Sequence, residues 1–346
     1  MSDCHRGDGS AGDEFAHNSL IYKCALEYYL KEGFTYIELG DAEELWENDS
    51  FEQIYITHTS VYDLLRRFHD PDPAKTRYLK VWGNHDEDWR DNPAPLCALF
   101  PNIQLHEVIL LQPENEGEIG TESFSSAGEK VIPVPILLLH GHQADPSCSG
   151  PGAKISRFLV GRVWTGLQRF GIGDPTRAAE NPGRCDAIDE TLYRFAKGKN
   201  RDNSPFSLRE KRELSRINGD IFGNCEAIDI VSRFIPKIVI AGHTHRPVFA
   251  NLSLTERRFL ESGVGTPGVR RKEKADPVYY NAGSCVHPRC ITGLEITFPR
   301  FTLVKWGYAA AEGTSDPPYP LAITRTVLEG EETQSGRMIS PPAKRY

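Results

Sequence analysis

The feature that most constrains this chain is a polar pentapeptide, GNHDE, at residues 83–87. It directly follows a β-type run at residues 78–82, so we expect it where a strand ends and a loop begins. A loop that only reverses the direction of the chain rarely carries an amide, an imidazole and a carboxylate in a row. The pentapeptide therefore indicates a chemical site at the end of a strand.

Four other clusters of the same residue types lie along the chain. They are Asp3-Cys4-His5, Gly40-Asp41, His140-Gly141-His142 and Gly242-His243-Thr244-His245. β-type runs precede the last three clusters. Only two residues stand before the first, so we expect its strand to be shortened or missing, or the recorded start to be late. Ligand sites in open α/β sheets favour the carboxyl ends of the strands, which predicts that the clusters meet there.

Helical and β-type patterns alternate along the first part of the chain. Residues 17–31 and 51–68 show helical spacing, whereas residues 34–39 and 77–82 are β-type. This alternation predicts a layered α/β fold. Further β-type runs lie at residues 103–111, 131–139, 248–252, 278–282, 291–298 and 301–306. We interpret the last four as an antiparallel second layer of a sandwich.

The segment 153–222 has a different character, being helical in pattern, strongly charged and without β-type runs. We predict that it is a helical cap inserted into a core of residues 1–152 and 223–308. Residues 309–346 are expected to form a C-terminal extension that is partly loose. Within the cap, residues 154–170 interleave apolar and basic side chains. They form either a cap helix packed on the core or a surface for a membrane or lipid-like substrate.

The bulk composition narrows the class of protein. The 346 residues carry a formal net charge of −8, which disfavours a dedicated nucleic-acid binder because such proteins are usually basic. We find no run of about 18 apolar residues and no signal segment, so the sequence predicts a cytoplasmic protein. The eight cysteines include no Cys-x-x-Cys pair and are expected to be reduced.

The five clusters have the composition of a metal site. Carboxylate, imidazole and amide ligands suit borderline divalent ions such as Mn²⁺, Fe²⁺ or Zn²⁺. The clusters offer more ligands than one tetrahedral ion needs, and two ions that share a carboxylate account for the number. Two such ions, about 3.5–4 Å apart, can clamp the attacking and leaving oxygens of a phosphoryl displacement.

In this order, the motifs DCH, GD, GNHD, HGH and GHTH resemble those of the calcineurin-like metallophosphoesterase superfamily, over residues 3 to about 306. The resemblance implies a four-layer α/β fold, with two mixed β-sheets forming a sandwich flanked by helices. It implies two divalent ions, Mn²⁺ first, with Fe²⁺, Zn²⁺ or Ni²⁺ as alternatives. The implied ligands of one ion are Asp3, His5, Asp41 and His245. Those of the other are Asp41, Asn84, His140 and His243, so that Asp41 bridges.

The implied activity is hydrolysis of a phosphodiester, diphosphate or phosphomonoester by in-line attack of a metal-bridging hydroxide. His85 is the predicted general acid for the leaving oxygen, because an imidazole titrates in the useful range. Asp86 is the residue expected to orient it. His142, Arg6 and Arg246 are candidate substrate contacts, and His142 is also a candidate partner of a metal-bound imidazole.

A narrower resemblance is to the UDP-2,3-diacylglucosamine pyrophosphatase branch. It rests on GDAEELWE at residues 40–47, the HGH segment, a helical cap and HTHRP at residues 243–247. Those enzymes cleave a diphosphate in a lipid-linked nucleotide sugar, which would make such a molecule the substrate. The chain departs from that branch at His85, where Arg is common, and in a longer cap and 253–275 loop. His85 favours a general phosphodiesterase or phosphomonoesterase.

Three alternatives stay open from sequence. The first is a phosphatase acting on phosphoproteins or small molecules. The second is a nuclease, which the acidic balance disfavours and the local basic loops allow. The third is a non-catalytic scaffold with the same fold, which is disfavoured because all seven ligand positions are filled. The sequence does not define the oligomeric state.

Overall fold

The computed structural model describes residues 1–10, 12–48, 50–111, 136–146, 148, 182–200, 202–222, 238–249, 278–297, 300–310 and 321–330. Within these ranges the chain forms seven α-helices and ten β-strands that are intermixed along the sequence. The protein is therefore of the mixed α/β class, as the alternation of patterns predicts.

The described helices are α1 (Ser19–Lys31), α2 (Phe51–Thr57), α3 (Thr59–Phe68), α4 (Asp88–Asp91), α5 (Ala94–Leu99), α6 (Pro182–Lys197) and α7 (Leu208–Phe222). The short helices α4 and α5 were not predicted from sequence. The prediction of one helix over residues 51–68 is wrong, because α2 ends at Thr57 and α3 begins at Thr59. The His58 backbone is non-helical (φ −111°, ψ 26°), and its Nε2 lies 2.8 Å from Asp13 Oδ2.

The strands form three sheets. They are β1 (Tyr36–Leu39), β2 (Tyr78–Val81), β3 (Leu105–His106), β4 (Val108–Leu111), β5 (Ile136–Leu139), β6 (Ile238–Ala241), β7 (Tyr279–Asn281), β8 (Cys290–Thr297), β9 (Arg300–Ala310) and β10 (Leu321–Gly330). The sheet orders are β1-β2-β3, β4-β5-β6-β7 and β10-β9-β8. The first sheet is parallel, the second mixed and the third antiparallel.

The first sheet places two of the polar clusters side by side. β1 and β2 pair in parallel, with Leu39 opposite Val81, so the loops that follow them leave the same edge. The N-terminal residues run along β1 without forming a full strand. Leu39 N donates to Met1 O at 2.8 Å, and His5 N donates to Asp41 O at 2.9 Å. The first cluster is thus held beside β1 by backbone hydrogen bonds.

The second sheet places the other two clusters together. β5 and β6 pair in parallel, with Leu138 opposite Ile240, and Gly242 N donates to His140 O at 2.8 Å. The prediction that residues 278–282 belong to an antiparallel layer is wrong, because β7 pairs in parallel with β6. The predicted run 103–111 is also divided, since β3 and β4 lie in different sheets.

The helices α6 and α7 lie within the segment predicted as a cap. The apolar side chains Ile188 and Leu192 of α6 pack with Leu137 and Val239 of the second sheet. The predicted amphipathic stretch 154–170 lies outside the described residues, so the domain division stays a prediction. Among the described helices, none combines the length and apolar character needed to cross a membrane.

One apolar cluster joins the three sheets. It contains Leu39 and Val81 from the first sheet, Ile136 and Ile240 from the second, and Leu303 from the third. The two short parallel strands β1 and β2 are therefore packed on apolar neighbours while their polar carboxyl ends remain at the edge. This arrangement fixes the positions of the loops that follow them.

A network of buried charges lies beneath these loops. Lys80 Nζ lies 3.0 Å from Glu38 Oε2, 2.8 Å from Glu43 Oε2 and 3.6 Å from Asp86 Oδ2. Arg6 pairs with the same two glutamates at 2.7 and 2.6 Å. Burial disfavours the charged amine, but the surrounding carboxylates outweigh it and raise the pKa of Lys80. Each charge is compensated by its neighbours.

Lys80→Met should destabilise the fold by about 3–5 kcal/mol, because it leaves buried carboxylates without their cation. Urea denaturation followed by circular dichroism measures the change. The matched control is Lys75→Met, since the Lys75 side chain is 70% exposed and its loss should leave the midpoint unchanged. A Lys80→Met midpoint equal to that of the control would contradict the compensating role of the amine.

Candidate metal centre

The five predicted clusters meet in one buried region. Two groups of three side chains have ligand atoms that all lie within 4.8 Å of one another, Asp3-His5-His245 and Asp41-His140-His243. All six side chains belong to buried residues. The two triads fall within the two ligand sets that the motif resemblance implies; Asn84 and the second, bridging contact of Asp41 are still to be placed.

The first triad comes from the N-terminal segment and the loop after β6. His245 Nε2 lies 3.2 Å from Asp3 Oδ1 and 3.1 Å from His5 Nε2. His5 Nε2 lies 4.0 Å from Asp3 Oδ1. Two imidazole nitrogens and a carboxylate oxygen converge, which is the arrangement of ligands around one divalent ion.

The second triad comes from the loops after β1, β5 and β6. Asp41 Oδ2 lies 3.0 Å from His140 Nε2 and also 3.9 Å from His5 Nε2 of the first triad. Asp41 therefore lies between the two triads, where a bridging carboxylate is expected. Its Oδ1 accepts a hydrogen bond from His85 N at 2.8 Å. Asn84 immediately precedes His85 and is buried.

The backbone at these ligands is unusual. Five of them are non-glycine residues with positive φ, namely Asp3 (52°), His5 (48°), Asp41 (48°), His243 (68°) and His245 (56°). Left-handed backbone is sparsely populated by residues other than glycine, and at active sites such strain is maintained by the surrounding structure. Its concentration in the predicted ligands supports a functional role for this region.

The loops also approach one another too closely for larger residues. A Cβ atom at Gly83 would lie 2.7 Å from Asp41 N and 2.7 Å from His140 Cδ2. A Cβ atom at Gly40 would overlap the His140 ring. The glycines of the GD and GNHD motifs are therefore required by the close approach of backbone and ligand side chains.

Two buried polar atoms test whether metal ions fit here. Asn84 Oδ1 and His140 Nε2 are among several buried side-chain atoms of the described residues that form no hydrogen bond of good geometry, although His140 Nε2 lies 3.0 Å from Asp41 Oδ2. Buried polar atoms are nearly always paired, so such exceptions call for an explanation. An amide oxygen and an imidazole nitrogen both have a lone pair to offer a divalent ion. The residues present therefore fit a metal centre.

The charges of the ligands balance one another. Burial opposes ionisation of Asp3, but His245 and His140 outweigh it and hold the pKa of Asp3 at about 2. Burial likewise disfavours charge on His140, but Asp41 and Asp3 raise the pKa of His140 to about 9. Without metal, the carboxylates are thus ionised and attract cationic partners. A proton on His140 occupies the place that a metal ion would take.

Metal affinity should therefore depend on pH. A metal-binding imidazole must be neutral, and the metal-free His140 is protonated below a pKa of about 9. We expect Mn²⁺ affinity to rise roughly tenfold per pH unit for each displaced proton between about pH 7 and 9, and then to level off. Calorimetric titration in two buffers of different ionisation enthalpy measures the released protons. Affinity that does not change with pH would contradict this assignment.

Hydrogen bonds from outside the triads orient the rings. His140 Nδ1 lies 3.0 Å from Leu39 O, which directs Nε2 toward Asp41. His243 Nε2 lies 3.1 Å from Asp145 Oδ2, which leaves Nδ1 as the nitrogen that could bind an ion. Such partners fix the tautomer and the orientation of metal-binding histidines. Asp145 was not identified from sequence, since it belongs to none of the five motifs.

The predicted catalytic pair is arranged differently from expectation. His85 Nδ1 lies 2.9 Å from Glu44 Oε1, and its ring stacks on Trp46 at 4.2 Å. The side chain predicted to orient His85, Asp86, instead accepts hydrogen bonds from Gly83 N at 2.6 Å and Ala42 N at 3.0 Å. Asp86 thus fastens two metal loops together, and Glu44 is the partner of the His85 ring.

All three candidate substrate contacts are buried. Arg6 is fully buried and ion-paired with Glu38 and Glu43, so it belongs to the charge network and the prediction of a substrate contact is corrected. Arg246 is buried as well. His142 lies beside Trp82, with ring centroids 5.7 Å apart. Burial, together with the nearby His140 and His243, lowers the pKa of His142, so its ring is neutral.

Comparison of the chain with protein-family models, curated proteins and solved structures found no match. The likeness to the calcineurin-like superfamily is therefore an interpretation of the motifs alone. The functional argument depends on the geometry and the chemistry of the site itself.

Proposed function

We propose that this protein is a dimetal-dependent phosphoesterase. One observation carries the proposal: residues from four separate segments of the chain converge in two adjacent triads, with Asp41 between them. A structural metal site is satisfied by four ligands around one ion. A pair of ion sites that share a carboxylate is instead characteristic of hydrolases that act on phosphate esters.

The proposed ligands are divided between two ions. One ion would be held by Asp3, His5, Asp41 and His245, and the other by Asp41, Asn84, His140 and His243. When bound, the two ions would activate a water molecule and neutralise charge on the phosphate oxygens. Nitrogen and oxygen ligands of this kind accept Mn²⁺, Fe²⁺, Zn²⁺ or Ni²⁺.

His85 is the proposed general acid. Its side chain is 19% exposed, whereas the six side chains of the two triads are more deeply buried, so it lies toward the solvent side of the centre. Its Nδ1 is bonded to Glu44, which leaves Nε2 to protonate a leaving oxygen. Burial lowers the pKa of His85, but Glu44 and Asp41 outweigh this and raise it. The raised pKa favours the protonated ring that a general acid needs.

The proposed architecture around the site is a four-layer sandwich between helices. One mixed sheet is the second sheet, and the other is formed by the parallel first sheet and the antiparallel third sheet, joined through the N-terminal segment. The apolar cluster that contains Leu39, Ile240 and Leu303 supports it, because these side chains come from all three sheets. The hydrogen bond from Cys285 N to Asp3 O at 3.1 Å supports it further. It joins the N-terminal segment, which runs beside β1, to the chain that leads into β8.

The proposed substrate is a phosphodiester, a diphosphate or a phosphomonoester. The GDAEELWE and HTHRP motifs point to a nucleotide sugar or a lipid-linked diphosphate, whereas His85 favours a general phosphodiester or phosphomonoester. The acidic balance of the chain disfavours nucleic acid.

Hydrolysis of bis-p-nitrophenyl phosphate and p-nitrophenyl phosphate, measured side by side, tests the proposal. Metal-stripped protein should be inactive, and Mn²⁺ should restore turnover. Preference for the diester would support a phosphodiesterase or diphosphatase, and preference for the monoester a phosphatase. If the protein binds no metal, the non-catalytic scaffold becomes the better interpretation.

A further inference from the structure

Glu44 touches both a proposed metal ligand and the proposed general acid. Its carboxylate is 5% exposed, and Oε2 lies 2.7 Å from His5 Nδ1 and 2.8 Å from His85 Nδ1. The other oxygen, Oε1, lies 2.9 Å from His85 Nδ1. One carboxylate is therefore shared by two imidazole rings that belong to different loops.

The backbone holds this carboxylate in place from both sides. Glu44 N donates to Arg6 O at 3.0 Å, and Leu45 N donates to His85 O at 3.2 Å. Glu44 Oε1 also accepts a hydrogen bond from Trp46 N at 3.2 Å. Glu44 is thus anchored to the N-terminal segment and to the GNHD loop, the two segments whose histidines it contacts.

The chemistry of the contact fixes a proton on Nδ1 of both rings. An ionised carboxylate only accepts hydrogen bonds, so Nδ1 of His5 and Nδ1 of His85 must each carry a proton. When its ring is neutral, His5 therefore has its lone pair on Nε2, and this atom faces His245 Nε2 at 3.1 Å and Asp41 Oδ2 at 3.9 Å. A metal ligand needs this tautomer and this direction.

The rings also restrict one another. The centroids of His5 and His85 lie 4.6 Å apart in an edge-to-face arrangement, and Trp46 stacks on His85 at 4.2 Å with an interplanar angle of 23°. His85 is therefore held by a hydrogen bond at Nδ1 and by ring contacts with His5 and Trp46. Its Nε2 has a defined direction as a result.

A third metal ion held by His5, Glu44 and His85 would be the alternative, since their ligand atoms cluster as well. The chemistry of His5 argues against it. A neutral imidazole has one nitrogen with a free lone pair, and His5 Nε2 faces the first triad. A third ion would need His5 Nδ1 as well, which lies 2.7 Å from Glu44 as the donor of a hydrogen bond.

We propose that Glu44 is a positioning residue that fixes His5 and His85 through one shared carboxylate and so couples a metal ligand to the general acid. The role assigned to His85 rests on the proposed function, whereas the shared hydrogen bonds do not. A residue that acts through others should affect metal binding and turnover together without contacting the substrate.

Glu44→Gln tests the proposal, with Glu47→Gln in the same loop as the matched control. A glutamine amide is neutral, so it removes the charge that strengthens the hydrogen bonds to both rings. Long-range ¹H–¹⁵N spectra of histidine-labelled, Zn²⁺-loaded protein report Nδ1 of each ring, with His85→Ala to assign the signals. We expect the Nδ1 signals of both His5 and His85 to shift in Glu44→Gln and neither to shift in the control.

Turnover and affinity provide the second measurement. We expect Glu44→Gln to lower kcat and Mn²⁺ affinity about 10–100-fold each, with KM changed less than about threefold. In the His85→Ala background the same substitution should lower kcat by a smaller factor, because part of its effect passes through His85. Glu44→Asp keeps a carboxylate, which accepts hydrogen bonds and donates none. Both Nδ1 protons should therefore persist in this variant even where turnover falls.

Unchanged Nδ1 signals of both rings in Glu44→Gln would overturn the proposal, and so would effects of Glu44→Gln and His85→Ala that multiply fully. If the wild-type protein hydrolyses no phosphate ester, the proposed function fails, but the Nδ1 signals and the metal measurements still decide the role of Glu44.

Discussion

Asp41→Asn should lower kcat/KM for the preferred p-nitrophenyl ester by about 10³-fold or more and reduce the number of bound metal ions. The expected size follows from the loss of several kcal/mol of metal-based stabilisation. Asp41 Oδ2 lies 3.0 Å from His140 Nε2 and 3.9 Å from His5 Nε2, so it is positioned to serve both ions.

The substitution is well suited to this test because asparagine has the same shape. Its amide oxygen can keep the hydrogen bond that Asp41 Oδ1 accepts from His85 N at 2.8 Å. The amide nitrogen then faces the two triads, where it offers protons and no lone pair. The fold should therefore persist while the metal centre is lost.

Metal content after dialysis, measured by elemental analysis, and turnover at saturating Mn²⁺ are the two measurements. Asp63→Asn is the control, because Asp63 is an exposed residue of α3 with a side chain 58% exposed. It should keep both ions and full turnover. If Asp41→Asn also kept both ions and most of its activity, Asp41 would not be the bridging ligand.

The positions of most candidate ligands were predictable from sequence for a simple physical reason. A short apolar run followed at once by polar residues marks a buried strand that ends at an edge, and parallel pairing brings such ends together. Asp41 after β1 and His140 after β5 follow this rule. Asp3 does not follow it fully, because no complete strand precedes it. Backbone hydrogen bonds to the loop after β1 hold Asp3 in place instead.

The outer contacts were not predictable from sequence because they depend on how distant loops approach. Glu44 lies three residues beyond Asp41, in a stretch where several acidic residues follow one another. No periodic pattern distinguishes it from Glu43, yet Glu43 pairs with buried Lys80 and Glu44 with two histidines. Arg6 shows the opposite case. A basic residue beside a metal motif suggests a substrate contact, but Arg6 is buried and paired with Glu38 and Glu43.

The partners of the later strands were likewise not predictable from the local sequence. Alternating apolar residues identify a strand but not the direction of its partner. β7 was therefore expected to be antiparallel and is parallel to β6. β10 lies within the segment expected to be a partly loose extension, and it pairs with β9 along most of its length. Long-range packing decides both cases.

His85→Ala should lower kcat by about 10²–10³-fold for an ester with a poor leaving group and leave the metal content unchanged. General acid catalysis typically contributes factors of this size. The loss should be larger for diphenyl phosphate than for bis-p-nitrophenyl phosphate, because p-nitrophenolate leaves readily without a proton. His17→Ala is the control, since His17 is exposed on the surface and has no proposed role.

The pH profile gives an independent test of the same role. A general acid is active in its protonated form, so kcat for diphenyl phosphate should fall as the pH rises through the pKa of His85, which Glu44 and Asp41 raise against the effect of burial. This alkaline limb should be absent in His85→Ala. Loss of a metal ion in the variant would instead make His85 a ligand. Equal losses for the two diesters would mean that the ring orients the substrate and that the leaving oxygen takes its proton from water.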